Sequence, residues 1–207
     1  RWQPADVSPA AASGSGEILV DDWAAVAAAH PPAERGGAGA AAVLGVSDVW
    51  VAAAKDGSRI ALVGEAFHRL MQWACGTGGV ALGGDACAWV ADVAPAAAAE
   101  FGLSPPEAAL AAQAASAVLV SAAFAPYRSG PGLLWAGDEV PVSEGGEVLR
   151  IDRLVARDEA GQRVWWVLDY KLQHRPEALE AYRAQLAAYR EAVRQAQPGA
   201  RVRSAFI

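Results

Sequence analysis

Cysteine is scarce in this chain of 207 residues, which contains only Cys75 and Cys87. Two thiols are too few for a disulfide framework, for a four-thiolate zinc site or for an iron–sulfur cluster held by four cysteines. So low a cysteine content is typical of a protein from a reducing compartment. We therefore expect a cytoplasmic protein without structural disulfides.

Long hydrophobic runs are also missing. The longest alanine-rich stretch, residues 108–125, is interrupted by Gln113, Ser116 and Ser121. It is too weakly apolar for a membrane span, which needs about 20 strongly apolar residues. The first residues lack the charged segment and apolar core of a secretory signal. We expect neither a membrane partner nor export.

Alanine supplies much of the apolar content, with 51 alanines in a chain that is 54% hydrophobic. The length allows one good-sized domain or two small ones. Charge is unevenly divided, because residues 1–146 carry 6 basic and 15 acidic side chains whereas residues 147–207 carry 11 and 8. The basic last third is a weak indication of an anionic substrate, and a solvated helix face with chance charge variation explains it about equally well.

The pattern of apolar and turn residues predicts a run of helices followed by a sheet. Proline and glycine interrupt the first sixty or so residues, which predicts an irregular or helical covering segment over residues 1–63, with Val46 to Ala53 open between helix and strand. Helices are predicted over Gly64 to Ala74, over Asp85 to Glu100 with a break near Pro95, and from the Ser104 cap to about Phe124.

The texture changes after Gly132 to β-branched and aromatic residues. Three strands in a meander are predicted over Leu133 to Val142, Glu147 to Ala156 and Arg163 to Lys171. A helix follows from Pro176 to about Gln195, with an apolar stripe at Leu179, Tyr182, Leu186, Tyr189 and Val193, and Val202 to Ile207 is a final strand. The fold class is therefore α/β, with a sheet flanked by helices. The strand at the last residues and the abrupt start indicate a domain from a longer polypeptide.

The second hairpin carries the most informative residues. If its turn is centred between Ala160 and Gly161, Asp152 lies opposite Asp169. Like charges so placed, with Cβ atoms about 5 Å apart, destabilise a sheet unless a cation joins them. Lys171 then shares the face of Asp169. Two carboxylates with an ammonium group suit Mg²⁺ or Mn²⁺ and phosphodiester hydrolysis.

A purely structural explanation of the same residues is open at this point. Asp152 and Asp169 would then be strand-end acids in ordinary salt bridges with Arg150, Arg153 or Lys171. Trp165 and Trp166 straddle the third strand, so one would pack under the last helix and the other is a candidate for base stacking.

Five short motifs, in a specific order and spacing, resemble the RecB-type nuclease domain of the PD-(D/E)XK superfamily, which is found at the C-terminal end of RecB and AddA helicase–nucleases. The resemblance covers roughly Gly64 to Ile207, which we take as the nuclease domain. The motifs are GEAFHRL at residues 64–70, EVPV at 139–142, IDRL at 151–154, VLDYK at 167–171 and YRAQLAAY at 182–189.

The resemblance implies a restriction-endonuclease-like core and a set of site residues. By this resemblance His68, Asp152, Asp169 and the carbonyl of Tyr170 ligate a metal, and Lys171 is the catalytic lysine. Glu139 resembles the family's acidic residue on the preceding strand. Gln185 and Tyr189 match the helix motif beside the active site.

The resemblance further implies a bacterial, cytoplasmic exonuclease that hydrolyses DNA with Mg²⁺, or with Mn²⁺, in DNA repair and recombination. Its partners would be DNA, the helicase domains of the same polypeptide and a partner subunit. Two departures are visible, because Arg150 stands where the family often has glycine and Leu172 where it often has threonine. Arg150 would contact a phosphate or compete with the metal. A nuclease-like scaffold that binds without cleaving, and an unrelated α/β domain, are the alternative hypotheses.

Overall fold

The computed structural model describes residues 57–76, 84–144, 146–172 and 175–207. Most of the predicted covering segment, including Val46 to Ala53, lies outside the described residues. The elements in chain order are helices α1 (Gly57–Cys75), α2 (Ala86–Glu100), α3 (Pro105–Val120) and α4 (Ala125–Arg128), strands β1 (Leu133–Glu144), β2 (Glu147–Glu159) and β3 (Gln162–Asp169), helix α5 (Glu180–Ala196) and strand β4 (Arg201–Phe206).

The first three helices follow the predicted order, with differences at their ends. Helix α1 begins at Gly57, seven residues before the predicted start. The predicted break at Pro95 is wrong, because α2 continues through that proline. Asp85 caps its first turn through the amides of Cys87 and Ala88, and buried residues on both sides of Pro95 hold the two halves against the core.

Helix α3 ends earlier than predicted. Its last residue is Val120, and Ser121 is extended with φ −65° and ψ 130°. The Ser121 hydroxyl accepts a hydrogen bond from the Ala123 amide at 3.1 Å, which replaces a helical bond and turns the chain. Phe124 is 1% exposed and precedes α4 rather than ending α3.

The sheet has the strand order β1-β2-β3-β4. The first two pairings are antiparallel, and β3 pairs with β4 in parallel through the α5 crossover. Ala160 and Gly161 form the tight turn between β2 and β3 with φ of 54° and 81°. Glu159 pairs with Gln162 and the ladder reaches Arg153 opposite Leu168, so the predicted hairpin register is confirmed.

Two apolar cores cover the two faces of the sheet. The first lies under α1 to α3 and includes Val155 and Trp166. The second lies under α5 and includes Ile151 and Trp165. Trp165 packs under α5, as expected for one of the two tryptophans. Trp166 is 4% exposed in the first core, which excludes it as a ring for base stacking.

The segment before α5 differs from the predicted helix. Pro176–Ala178 is a single 3-10 turn, and α5 itself starts at Glu180. Leu179, a member of the predicted stripe, is 46% exposed and precedes the helix, whereas Leu186, Tyr189 and Val193 are buried as predicted. Among the described residues, no helix is both long and apolar enough to cross a membrane.

Candidate metal centre and active site

Two acidic residues lie side by side on β1 and β2. Asp138 pairs with Arg153 and Val140 pairs with Ile151, so Glu139 and Asp152 occupy the position between these rungs. Glu139 has a φ of 52°, in the left-handed region that a non-glycine residue rarely adopts. Such a conformation persists only where the surrounding structure enforces it, and it is concentrated at functional sites.

At these two acids, the side chains of β1 and β2 switch from one face of the sheet to the other. Ala136 packs on the first core but Val140 packs on the second, although residues four apart on a regular strand share a face. Val155 and Ile151 show the same exchange on β2. The left-handed backbone at Glu139 lies within this reversal.

His68 of α1 meets this acidic pair from the helical layer. Its Nδ1 atom is 3.7 Å from Oδ1 of Asp152, and its Nε2 atom is 3.0 Å from the carbonyl oxygen of Tyr170. The Tyr170 amide donates a hydrogen bond of 2.7 Å to Oδ2 of Asp152. One potential ligand atom each of His68, Glu139 and Asp152 lies within 4.8 Å of the others.

Asp169 and Lys171 form a second part of the site, where β3 ends. Asp169 is 1% exposed, and its Oδ2 atom lies 2.9 Å from Nζ of Lys171. This oxygen has no hydrogen bond of good geometry, although it is buried. The Lys171 ammonium is 4.8 Å from the ring centre of Tyr182, which adds a cation–π contact. The backbone holds this segment too, because the Lys171 amide donates to the Ile207 carbonyl and the Ile207 amide donates to the Asp169 carbonyl, each at 3.0 Å.

Burial dominates the electrostatics of Asp152. It is the main cause that raises the pKa of this carboxyl to about 6; the charge of His68 opposes the rise and the negative charge of Asp169 contributes to it. A cation close to a buried carboxylate stabilises its ionised form.

Gln185 and Tyr189 reach the same region from α5. The Gln185 amide donates to the Tyr189 hydroxyl at 2.8 Å. Burial raises the pKa of Tyr189, and the negative charge of Asp169 raises it further, with smaller contributions from Asp152 and Glu139. The Tyr189 phenol therefore lies within electrostatic reach of all three acids.

A model of the PD-(D/E)XK nuclease superfamily matches residues 40–207 of the chain. The chain belongs to the PD-(D/E)XK nuclease superfamily. Neither the curated proteins nor the solved structures contain a match to it. Membership overturns the alternative of an unrelated α/β domain, and the four-strand mixed sheet flanked by helices agrees with the fold class predicted from the sequence.

The donor set of this superfamily member fits a hard divalent cation. The site offers one imidazole nitrogen and carboxylate oxygens, the ligand types that Mg²⁺ and Mn²⁺ accept. Asp169 adds a buried oxygen that lacks a hydrogen bond. Lys171 pairs with Asp169, but Glu139 and Asp152 remain opposed acids. Opposed like charges destabilise a sheet, and a divalent ion would offset this repulsion.

The geometric cluster differs in one member from the ligand set that the resemblance implies. Glu139 joins His68 and Asp152, whereas Asp169 lies outside this trio and beside Lys171. The β1–β2 register accounts for the position of Glu139. Asp138 is the partner of Arg153, so the next residue of β1, Glu139, lies opposite Asp152. Sequence reasoning did not extend the register to β1 and therefore missed this proximity.

If Asp152 and Asp169 were ordinary strand-end acids, they would form salt bridges with Arg150, Arg153 or Lys171, and only one of these salt bridges is present. Arg153 binds Asp138 at 2.6 Å and not Asp152. Arg150 lies 3.7 Å from Glu139, with a side chain that is 68% exposed. Lys171 does pair with Asp169. In this superfamily member, therefore, Arg150 and Arg153 pair with Glu139 and Asp138 rather than with the two hairpin acids.

Proposed function

We propose that this chain is a metal-dependent deoxyribonuclease that hydrolyses phosphodiester bonds from DNA ends, as the nuclease arm of a DNA repair and recombination helicase–nuclease. The observation that carries the proposal is the convergence of His68, Glu139 and Asp152 from three elements, next to the Asp169 and Lys171 pair, in a PD-(D/E)XK superfamily member. The RecB and AddA resemblance supports the exonuclease and helicase context.

The proposed metal ligands are His68, Asp152 and Glu139, with Asp169 and the Tyr170 carbonyl completing the set. Mg²⁺ is the proposed ion because carboxylates and a carbonyl predominate, and Mn²⁺ tolerates the imidazole equally well. An ion held here would supply a Lewis acid for the oxygens of the scissile phosphate.

Lys171 is the proposed catalytic lysine. Its ammonium lies between the Asp169 carboxylate and the Tyr182 ring, which fixes it at the end of β3. From there it would orient the attacking water and offset phosphate charge. The hydrogen-bonded Gln185 and Tyr189 pair would bind the substrate backbone from α5.

The basic last third of the chain supports an anionic substrate, with 11 basic and 8 acidic side chains over residues 147–207. The chain as a whole has a net charge of −6, so helicase domains or a partner subunit would supply much of the DNA affinity. The two free cysteines are compatible with a reducing bacterial cytoplasm, where we propose that it acts.

The test is degradation of labelled linear single- and double-stranded DNA, with an RNA strand for comparison, in Mg²⁺, in Mn²⁺ and in EDTA. Asp169→Ala and Lys171→Ala should each reduce cleavage by at least a hundredfold, and Asp92→Ala, which removes an exposed acid of α2, should leave it unchanged. Cleavage that persists in EDTA or in both site variants would contradict the proposal.

A scaffold that binds DNA or a partner subunit without cleaving it is the second candidate. The observation that favours it is Arg150, whose guanidinium group lies 3.7 Å from Glu139 and so competes with a metal for this carboxylate. Wild-type protein that retains DNA but neither binds Mn²⁺ nor cleaves, even when joined to its helicase, would establish the scaffold instead.

A further inference from the structure

Arg153 is an unusual residue for the interior of a sheet. It is 1% exposed and has the largest volume of the fully buried side chains among the described residues. Arginine is almost never fully buried unless it is paired. Its Nη1 atom donates to Oδ1 of Asp138 at 2.6 Å, and its Nε atom donates to the carbonyl of Tyr127 at 3.0 Å.

The ion pair occupies the rung next to the two acids of the proposed site. Asp138 and Arg153 are partners across β1 and β2, and each directly adjoins a member of the acidic pair, Glu139 or Asp152. The pair therefore fixes both strands one residue from the left-handed backbone at Glu139. Its two partners, on β1 and on α4, also join the sheet to the helical layer.

Tyr170 is the other residue that holds the proposed ligands in place. Its side chain is 2% exposed in the first core. The backbone of this tyrosine contacts both Asp152 and His68. Arg153 itself is hydrogen-bonded to Asp138 and to the Tyr127 carbonyl, which are not proposed ligands.

We infer that the buried Arg153–Asp138 ion pair is a positioning device that aligns Glu139 and Asp152 as metal ligands. The inference rests on the proposed metal site. A polar pair in this place fixes strand register and direction, which two apolar side chains of similar volume would leave less specified. Support of this kind around ligands commonly changes metal affinity by about 10–100-fold.

The test replaces both partners together, as Asp138→Leu with Arg153→Met. Removing both charges avoids leaving one buried and unpaired, so the double variant is expected to keep a melting temperature close to that of wild type. We expect its Mn²⁺ affinity, measured on the metal-free protein by electron paramagnetic resonance of free Mn²⁺, to fall at least tenfold. The matched control is Glu159→Leu with Arg203→Met, which removes a 3.0 Å pair at the far end of β2.

A second readout needs no metal. The Tyr170 amide is hydrogen-bonded to the Asp152 carboxylate, so its hydrogen exchange reports whether that carboxylate stays in place. We expect exchange at Tyr170 to accelerate at least tenfold in the Asp138 and Arg153 double variant and to stay unchanged in the control. If wild-type protein binds no Mn²⁺, the proposed function fails while this exchange measurement still tests the positioning.

Unchanged exchange at Tyr170 together with Mn²⁺ affinity within twofold of wild type would overturn the inference. An equal loss in the Glu159 and Arg203 control would overturn it as well, because the effect would then be general to sheet ion pairs. If the double variant does not fold, Arg153→Lys serves instead. It keeps the charge but loses the planar two-sided donor geometry, and we expect a severalfold loss of Mn²⁺ affinity, whereas wild-type affinity would refute the role.

Discussion

The substitution Glu139→Gly tests whether the site stores strain for metal binding. Glu139 combines a φ of 52° with a carboxylate next to Asp152. Glycine adopts this conformation without penalty and removes one of the two opposed charges. We therefore expect the metal-free variant to be more stable than wild type, although it lacks a proposed ligand.

The expected gain follows from four opposing contributions. Relief of the left-handed backbone of Glu139 contributes about 1–2 kcal/mol, and relief of repulsion from Asp152 adds about 1 kcal/mol. The greater freedom of glycine in the unfolded chain costs about 0.5–1 kcal/mol. Loss of the exposed Arg150 contact costs about 0–1 kcal/mol. The net stabilisation is about 1 kcal/mol, which raises the melting temperature by about 2–4 °C in a chain of this size.

Metal reverses the order of stability. At a Mn²⁺ concentration of a hundred times its dissociation constant, wild type gains about 2.7 kcal/mol, while a variant that binds a hundredfold more weakly gains about 0.4 kcal/mol. Wild type should then be the more stable protein by about 1 kcal/mol. Thermal unfolding by circular dichroism in EDTA and in Mn²⁺ measures both differences.

Ala160→Gly is the matched control for this experiment. Ala160 has a φ of 54° in the exposed turn between β2 and β3, so glycine relieves a similar backbone strain without changing charge. We expect a gain of up to about 1 kcal/mol that is the same in EDTA and in Mn²⁺. A Glu139→Gly protein that is less stable than wild type in EDTA, or that gains as much from Mn²⁺, would refute the reasoning.

Three further predictions concern single charges. Burial raises the pKa of Asp152 to about 6, so the protonated Asp152 side chain contributes stability that is present below pH 4 and is lost as pH rises through 6. In EDTA, the melting temperature of wild type should therefore fall relative to that of Asp152→Asn over this range. Parallel curves of melting temperature against pH would contradict this. Arg150→Gly should strengthen Mn²⁺ binding severalfold in calorimetry by freeing Glu139, while an unchanged affinity would show that the arginine does not compete. Glu107→Gln should lower the free energy of unfolding in urea by about 2 kcal/mol at pH 7, because the hydrogen bond from Arg59 holds the pKa of Glu107 at about 2. This deficit should shrink as pH falls from 5 towards 2. A deficit independent of pH would exclude the ion pair as its cause.

The sequence predicted the fold well where local signals agree with packing. The β2–β3 register followed from the Ala160-Gly161 turn, since a two-residue turn fixes every rung beyond it. The end of α3 was missed because alanine favours helix and the Ser121 side chain acts only through a local hydrogen bond. Pro95 was given too much weight, because tertiary packing overrides the loss of one helical bond.

The site was harder to predict than the fold. The sequence pointed to Asp152 and Asp169 as neighbours, but the reversal of faces at Glu139 has no signature in an alternating pattern of apolar residues. The partner of Arg153 was equally hidden, because a basic residue beside an acidic one does not say which acid across the sheet it meets. Three-dimensional register and backbone strain, rather than residue type, determine both.

The Asp152 carboxylate divides its two oxygens between different tasks. Oδ2 closes the last rung of the sheet by accepting from the Tyr170 amide, and Oδ1 faces His68. An asparagine could keep the first contact through its carbonyl oxygen while presenting an amide group to the ligand side. The fold can therefore survive the loss of the chemistry at this position, so an amide replacement separates architecture from activity within one side chain.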